Sequence, residues 1–420
     1  MLNKNNEREL AYIVNIDAIE PIQGSDNCEC AIVGGWHVMV RKNEFKAGDP
    51  AIYFEIDSYL DPSNPAFSFM EKKNYKVKTQ RYTFGGKGNF ISQGLLMSAA
   101  NFGWTIEKDT QDSSGDVYFI LDDRGEYHYS GGESRFLTKQ LGVTYYIAED
   151  NARKAASADK YKKMAQRNGK LFSHQPFRWL MKHTWGKKLL FVFFGRKRDK
   201  KTAWPNWVSK TDEERIENLP YLFKDKSEWI ATEKIDGTST TFTLKRGHRF
   251  KKDEFYVCSR NVVFDKPDKE CFYDTNVYTE MAEKYHIYDK MKRFLNMNDA
   301  FADCDWITIQ GETYGEGIQK RDYHMNEHNF MAFNFITSKD GRWNSVKMKD
   351  FLEKENGIPC VPILDEQYVL PDTLDELREY VDSKPSIVDG DLREGIVFRS
   401  QDGTRSFKCV SPTFLLKFHQ

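Results

Sequence analysis

A short segment in the second half of the chain has residue types that could supply a nucleophile. It reads EKIDGT at residues 233–238 and follows a run typical of a β-strand. A lysine amine becomes nucleophilic only when it has lost its proton, which burial, nearby cations or metal ions favour. The following glycine allows a tight bend, so that the amine can face a phosphate. A K-x-D-G pattern recurs by chance, however, and a surface turn is the better interpretation of this segment taken alone.

Further polar and aromatic segments follow it along the chain. They read SRN at 259–261, ITIQGETYGEGIQ at 307–319, FMAFNFI at 330–336, REGIVFR at 393–399, SFK at 406–408 and FLLK at 414–417. Each has an ordinary structural interpretation, because aromatic strand residues usually form a core and strand glutamates can pair with lysines at a rim. Their joint occurrence in one order favours a chemical role.

Taken together, these segments resemble the collinear motifs of the covalent nucleotidyltransferases, which include polynucleotide ligases and mRNA capping enzymes. The segment KTDEERIEN at 210–218 and ISQGLL at 91–96 are similar to RNA ligases of family 5, the Naegleria type. The resemblance covers most of the chain and is poorest at 105–134 and 151–201. It implies an ATP-dependent RNA ligase that joins a 3′-hydroxyl to a 5′-phosphate end through a lysyl-AMP intermediate and acts in RNA repair.

The resemblance also implies roles for matching residues. Lys234 would attack the α-phosphorus of ATP. The other catalytic residues would be Glu312, which binds the ribose, Lys408, which contacts the α-phosphate, and Glu394. Asp236 and Glu394 would hold Mg²⁺ or Mn²⁺ through water, as magnesium prefers. The remaining nucleotide-binding residues would be Glu233 at the adenine amine, Gly237, Arg260, Phe333 stacked on adenine, and Arg215 and Lys417 at the leaving pyrophosphate.

The elements that must position these residues predict an α+β protein. Short β segments over residues 10 to about 145, broken by Gly, Asp, Asn and Pro, predict a small barrel or sandwich. Strand-like runs such as 229–243 then alternate with helical stretches such as 276–295. With the resemblance, this predicts an N-terminal OB-type β-barrel followed by a C-terminal nucleotidyltransferase domain of antiparallel sheets and helices.

We therefore expect three parts along the chain. Residues 1–150 would form the OB-fold domain with an insertion near 105–134, residues 151–203 a basic, partly helical connector, and residues 204–420 the nucleotidyltransferase domain. Lysines, arginines and aromatics are interleaved in the connector. It is either a solvated linker or a surface on which cations track phosphates and rings stack on bases.

Composition limits the other possibilities. The formal net charge is -1, so any RNA-binding surface must be local. Seven scattered cysteines favour a reducing compartment, and the start of the chain does not resemble a signal peptide. The apolar run at 189–194 is far shorter than the roughly 20 residues that span a bilayer. We expect a soluble intracellular monomer with ATP and RNA, and no membrane, as partners.

Two alternatives stay open. DNA ligases and capping enzymes usually carry an OB domain after the lysine domain, whereas here the barrel precedes it and the chain ends about a dozen residues beyond Lys408. That order favours RNA ligase. The run at 19–35 also resembles OB domains that bind tRNA or single strands, so a catalytically inactive RNA-binding protein is the other alternative. The physiological RNA, the preference for nicked or single-stranded ends and any tolerance of DNA are not evident from the sequence.

Overall fold

The computed structural model describes most of the chain. The described residues are 1–84, 86–108, 118–122, 124, 135–145, 174–194, 202–247, 252–264, 271, 273, 275–297 and 301–418. Most of the predicted insertion near 105–134 and most of the basic connector lie outside them. The expected boundary near residue 150 also lies outside, so the division into three parts stays a prediction.

The N-terminal part is built from short antiparallel strands. The strands are β1 (Ala11–Asn15), β2 (Ala18–Pro21), β3 (Cys28–Val33), β4 (Trp36–Arg41), β5 (Pro50–Phe54), β6 (Ser58–Tyr59), β7 (Thr79–Phe84), β8 (Lys87–Gln93), β9 (Leu95–Met97), β10 (Thr105–Lys108), β11 (Tyr118–Leu121) and β12 (Thr144–Tyr145). They form two sheets with the orders β1-β5-β9 and β2-β3-β4, and three further pairs, β7-β8, β10-β11 and β6-β12. Short 3₁₀ helices cover Pro65–Lys73 and Ala99–Phe102. Two apolar clusters fill this part, one around Phe54 and Phe67 and one around Trp36 and Tyr53.

The C-terminal part contains two sheets. Their strands are β13 (Glu214–Arg215), β14 (Glu228–Lys234), β15 (Thr238–Lys245), β16 (Glu254–Cys258), β17 (Val263–Phe264), β18 (Trp306–Gly315), β19 (His328–Thr337), β20 (Gly341–Arg342), β21 (Ile363–Val369), β22 (Gly395–Ser400) and β23 (Ser406–Val410). One sheet has the order β13-β23-β22-β14-β21 and the other the order β17-β16-β15-β18-β19-β20. All pairs are antiparallel, as predicted, except β13 with β23, which is parallel.

Helices cover the outer faces of both sheets. The helices α1 (Gln175–Lys182) and α2 (Thr184–Phe194) precede the C-terminal part, which contains α3 (Val277–Lys284), α4 (Ile287–Leu295), α5 (Ser345–Lys349), α6 (Leu374–Asp382) and α7 (Pro412–Phe418). Short 3₁₀ helices cover Ile216–Asn218 and Pro220–Lys224, and a π-helical turn covers Asp350–Glu355. Helices α3 and α4 pack on the six-stranded sheet, and α6 packs on the five-stranded sheet. No helix of the described residues is long and apolar enough to cross a membrane.

Two predicted elements are each divided in the structure. The run at 229–243 forms β14 and β15, because the chain leaves the five-stranded sheet after Lys234 and enters the six-stranded sheet at Thr238. The helical stretch at 276–295 forms α3 and α4, because His286 adopts a left-handed conformation with φ of 51° between them. Apolar periodicity extends across the break at His286, so it could not locate that break, whereas the bend at Gly237 is expected from the glycine.

The two parts of the protein meet at a tight junction. The turn between β3 and β4 lies against the backbone at residue 217, where a Cβ atom on Gly35 would stand 2.7 Å from Glu217 Cα. Gly35 N–H donates to the Glu217 carbonyl at 2.7 Å, and Trp36 Nε1 donates to Asn218 Oδ1, also at 2.7 Å. A glycine is therefore required at position 35 for the backbones to approach this closely.

A buried ion pair crosses the same junction. Arg8 Nε, from the N-terminal part, lies 2.8 Å from Asp212 Oδ2, and Arg8 Nη1 lies 2.9 Å from Glu55 Oε2. Burial would raise the pKa of the Asp212 carboxyl, but Lys408, Arg8 and Arg260 hold it well below its usual value. Asp212 is therefore a charged, buried group whose interactions depend on both parts of the chain.

This carboxyl predicts a loss of stability in acid. Because the folded-state pKa of Asp212 is depressed, its contribution is complete above the unfolded pKa near 4 and is lost as the pH falls towards the folded pKa. We expect Asp212→Asn to lower the free energy of unfolding at pH 7 by about 3 kcal/mol, since it leaves buried cations unpaired, and to flatten the decline in stability between about pH 5 and pH 2. Denaturant unfolding across that range measures both effects.

The matched control is Asp303→Asn, which changes an exposed carboxyl paired only loosely with Lys339. If Asp212→Asn and Asp303→Asn changed the free energy of unfolding equally, Asp212 would not be the charged, buried partner of these cations.

Candidate active site

The segment that carries Lys234 connects the two C-terminal sheets. Lys234 is the last residue of β14 and pairs with Gly395, whereas Thr238 begins β15 and pairs with Thr313. Between them, a Cβ atom on Gly237 would lie 2.3 Å from the Thr313 carbonyl oxygen. Glycine therefore lets residues 235–237, the nucleophile loop, pass close against β18.

Side chains from one neighbouring segment hold the nucleophile loop in place. The Asp236 N–H donates to the Tyr323 hydroxyl at 2.6 Å, and Gln319 Nε2 donates to the Gly237 carbonyl at 3.0 Å. The Arg321 guanidinium stacks 4.2 Å from the Tyr323 ring centroid. The sequence predictions assigned no role to these three residues, although Gln319 ends the GETYGEGIQ segment and Arg321 and Tyr323 lie just after it. No motif marks a residue that acts through a backbone contact.

Lys234 forms an ion pair with one of the predicted carboxylates. Its Nζ lies 2.7 Å from Glu394 Oε2, with the lysine side chain 24% exposed and the glutamate 8% exposed. Burial alone would lower the pKa of Lys234, but the charges of Glu394, Glu312 and Asp236 outweigh it and raise the pKa above its usual value. Without nucleotide, the amine is therefore protonated and held in place.

Three carboxyl groups crowd around this amine. Burial, and then the charge of Glu394, raise the pKa of Asp236 to about 7. Burial also raises the pKa of Glu312 to about 8, with Lys234 opposing and Glu394 adding to the shift. Such a site gains stability from added positive charge, and its oxygen atoms suit Mg²⁺ or Mn²⁺.

The predicted ion site consists of carboxyl groups beside Lys234. In the described part of the chain, no three His, Cys, Asp or Glu side chains converge as a direct ligand set. Asp236 and Glu394 stay the predicted residues for an ion held through water, the arrangement that magnesium commonly adopts in proteins.

Phe333 differs from the other aromatic residues of its strand. In the pairing of β18 with β19, Gln310 is opposite Asn334 and Gly311 is opposite Ala332, so Phe333 is the extra residue of a β-bulge. Phe330 and Phe335 are fully buried in the core of the six-stranded sheet, whereas Phe333 is half-buried beside Ile235 and Val388. A bulge redirects a side chain, and here it separates the candidate stacking residue from the core residues.

Asn334, the neighbour of Phe333, belongs to a different environment. Its Nδ2 donates to Gln310 Oε1 at 3.0 Å, and its Oδ1 is buried without a hydrogen-bond partner in the structure. Both amides line a cavity of about 760 Å³ that also contacts Asp212 but is not lined by Lys234. We place the candidate active site at Lys234 rather than in this cavity, because the reactive groups converge at the lysine.

Three cations from separate segments meet at the Asp212 carboxylate. Lys408 Nζ lies 2.7 Å from Asp212 Oδ1, while Arg8 and Arg260 contact Oδ2 at 2.8 and 2.6 Å. Burial, despite Asp212, lowers the pKa of Lys408 to about 8, with Arg8, Arg215 and Lys234 adding to the effect. A cluster with this much positive charge could bind phosphate oxygens. Arg8 was missed because its segment contains no motif.

Arg215 and Lys417, the residues predicted to contact the leaving pyrophosphate, each lie near an acidic side chain of the protein. Arg215 pairs with Lys408 in the backbone register, but its guanidinium lies 5.7 Å from the Trp36 ring centroid and 3.9 Å from Asp57. Lys417 is 53% exposed and lies 3.8 Å from Asp391. Their roles at a leaving pyrophosphate stay predictions.

Solved structures of Naegleria gruberi RNA ligase share this fold over nearly the whole chain. The complex with pyrophosphate is 24% identical, with a TM-score of 0.66, and the match covers 98% of this chain and 99% of that chain. A lysine mutant with ATP and Mn is 23% identical, with a TM-score of 0.64 and 98% coverage of both chains. A lysine-to-methionine mutant with AMP and Mn is 23% identical, with a TM-score of 0.65 and coverage of 98% and 99%.

Family models agree with the two parts of the structure. No curated protein sequence matches the chain significantly. An OB-fold domain model matches residues 10–98, which include β1 to β9, and the RNA ligase model matches residues 227–418, which include Lys234 and Lys408. The predicted order of an OB fold followed by a nucleotidyltransferase domain is confirmed. Residues 227–418 are therefore similar to the RNA ligase family.

Proposed function

We propose that this protein is an ATP-dependent RNA ligase that joins a 3′-hydroxyl to a 5′-phosphate end through an adenylate on Lys234, and that it acts in RNA repair. The main supporting observation is the position of Lys234, where β14 gives way to the nucleophile loop and Nζ lies 2.7 Å from Glu394. Glu312, Phe333 and Lys408 lie on strands of the two sheets that this loop connects. The ATP, AMP, pyrophosphate and Mn bound by the similar Naegleria ligase support the same chemistry.

The proposed reaction has three steps: two transfers of the AMP group and then the formation of the phosphodiester bond. First, the neutral Lys234 amine bonds to the α-phosphorus of ATP as the bond to pyrophosphate breaks. The 5′-phosphate of RNA then takes the AMP group from the lysine, and finally the 3′-hydroxyl attacks that phosphate and releases AMP. Each step depends on in-line positioning and on neutralised oxygen charge rather than on a strong base.

The arrangement of charges suits the first transfer. Lys408 and Arg260 would contact phosphate oxygens in place of Asp212, which now accepts their hydrogen bonds. Glu312 would bind the ribose hydroxyls, and Phe333 would stack on adenine. Asp236 and Glu394 would hold a divalent ion through water, which supplies positive charge that favours the deprotonated amine and the developing phosphate charge.

The helical pair α1–α2 gives one described candidate for an RNA contact outside the active site. Residues 174–194 contain no Asp or Glu and include Arg178, Lys182, Lys187 and Lys188. Trp179 and Trp185 are 54% and 55% exposed, with ring centroids 5.9 Å apart. Cations beside exposed aromatic rings suit single-stranded RNA. The rest of the basic connector, including its basic residues at 196–198, lies outside the described residues.

Replacing the nucleophile tests the central proposal. We expect wild-type protein incubated with α-labelled ATP and Mg²⁺ or Mn²⁺ to become covalently labelled, and Lys234→Ala to lose the label completely, because no other amine occupies this position. Lys384→Ala, which changes an exposed lysine, is the control and should label normally. Labelling by GTP instead of ATP would favour a capping enzyme, and absence of any label would favour an inactive RNA-binding protein.

Replacing the metal-binding carboxylates tests the ion site. We expect Asp236→Asn and Glu394→Gln each to raise the Mn²⁺ concentration needed for half-maximal labelling about tenfold or more. A Mn²⁺ titration of the labelling reaction measures this, and Glu316→Gln provides an exposed control. An unchanged Mn²⁺ requirement in both variants would exclude these residues as ligands, direct or through water.

Reversing the charge of the helical pair tests its contact with RNA. We expect the triple change Lys182→Glu, Lys187→Glu and Lys188→Glu to raise the Kd for RNA and to reduce the slope of log K against log salt by up to about three, since each phosphate contact contributes roughly one to that slope. RNA-binding titrations at several salt concentrations measure both quantities.

The matched control reverses three exposed lysines elsewhere, at Lys292, Lys339 and Lys354. If the two triple variants bind RNA alike, the helical pair is a solvated linker.

A further inference from the structure

The carboxylate of Glu233 is held by two donors from a single loop. Residues 383–394, the base loop, connect α6 to β22. Within it, the Ser386 hydroxyl donates to Glu233 Oε1 and the Ile387 N–H donates to Oε2 at 2.9 Å. Both Glu233 and Ser386 are almost completely buried. Each oxygen of the carboxylate therefore has one donor and one further acceptor position.

The direction of the Ser386 hydroxyl is determined by its neighbours. The Val388 N–H donates to Ser386 Oγ at 3.1 Å, so this oxygen serves as an acceptor on that side. Asp389 also lies near enough to interact with this hydroxyl, and it is paired with the Arg321 guanidinium. The hydrogen bond that the hydroxyl donates to Glu233 Oε1 is the one on which the orientation of that carboxylate depends.

The base loop is also connected to the nucleophile loop. Arg321 Nε donates to Asp389 Oδ2 at 3.0 Å, and Arg321 Nη1 donates to the Leu392 carbonyl at 2.5 Å. The same guanidinium stacks on Tyr323, whose hydroxyl accepts the Asp236 N–H. One buried arginine therefore sets the position of Ser386 relative to the residues beside Lys234.

We propose that Ser386 is a specificity-determining residue that makes Glu233 select adenine over guanine. This inference rests on the proposed function, in which Glu233 faces the nucleotide base. Adenine carries an amine donor at C6, whereas guanine carries a carbonyl acceptor there. A carboxylate that receives donors from Ser386 and Ile387 offers only acceptor positions to the base, so it binds the amine and repels the carbonyl.

The hydroxyl matters because it fixes the orientation of the carboxylate. With donors from both Ser386 and Ile387, the carboxylate cannot turn without breaking a hydrogen bond. Without the Ser386 hydroxyl, Oε1 loses its donor, and the carboxylate can rotate to accept from guanine N1–H, a donor that adenine lacks. Removal of the Ser386 hydroxyl therefore weakens the discrimination, even though the Ile387 N–H remains.

The test compares covalent labelling by α-labelled ATP and by α-labelled GTP. We expect Ser386→Ala to lower the ratio of ATP to GTP labelling rates by about ten- to a hundredfold, the range that corresponds to loss of one hydrogen bond to a charged group. Ser386→Thr, which keeps the hydroxyl, should retain most of the wild-type ratio. Ser383→Ala removes an exposed hydroxyl that donates to the Tyr380 carbonyl, and it should leave the ratio unchanged.

Each outcome either supports or overturns the assignment. If Ser386→Ala slows labelling by both nucleotides equally, or keeps the wild-type ratio, Ser386 has only a structural role and the inference fails while the proposed function stands. If wild-type protein is not labelled by ATP, the proposed function fails and this inference fails with it. Thermal unfolding verifies that each variant is folded. Should Ser386→Ala not fold, Ser386→Cys replaces it, because a thiol is a weaker donor of similar shape, and it should lower the ratio in the same direction.

Discussion

The passage of the chain from one sheet to the other at residues 234–238 is the constraint on which the rest of the site depends. Because β14 ends at Lys234 and β15 begins at Thr238, the lysine lies between carboxylates carried by both sheets. Gly237 makes this possible, since any side chain there would meet β18. The Tyr323 hydroxyl then fixes the loop through a backbone N–H, so the backbone that carries Lys234 is positioned by contacts that do not involve the lysine charge.

Charge balance explains why the protein is stable without nucleotide and yet suited to bind it. On one side, the protonated Lys234 offsets the crowded carboxyl groups of Asp236, Glu312 and Glu394. On the other, Asp212 offsets cations that come from several segments of the chain. At the carboxyl groups, a metal ion could supply the positive charge that Lys234 now provides. At the cations, a phosphate group could supply the negative charge that Asp212 now provides. Such exchange limits the cost of burying charge in either state.

The junction between the two parts of the chain also contributes to the site. Arg8 brings a guanidinium from the N-terminal part to Asp212, and Tyr145 lies 5.0 Å from the Arg260 guanidinium. The close approach of Gly35 to the backbone at Glu217 leaves little freedom in how the parts are docked. Consequently, the N-terminal part of the chain contributes residues to the cation cluster.

The sequence by itself determined the α+β class and the order of the two folds, and it predicted Lys234 as the nucleophile, because these follow from local apolar patterns and from motifs whose residues are near neighbours in the chain. It also indicated Glu312, Phe333 and Lys408, which the structure places on strands of the two sheets joined at Lys234, and Glu394, which directly precedes β22. Only the tertiary structure decided the roles of Arg8, Tyr323 and Ser386. Each acts through a contact with a residue distant in sequence, and three-dimensional packing alone sets such distances. The bend at Gly237 is expected from the sequence, but only the tertiary structure decided that β14 and β15 join different sheets, because strand pairing depends on partners that are distant in the chain.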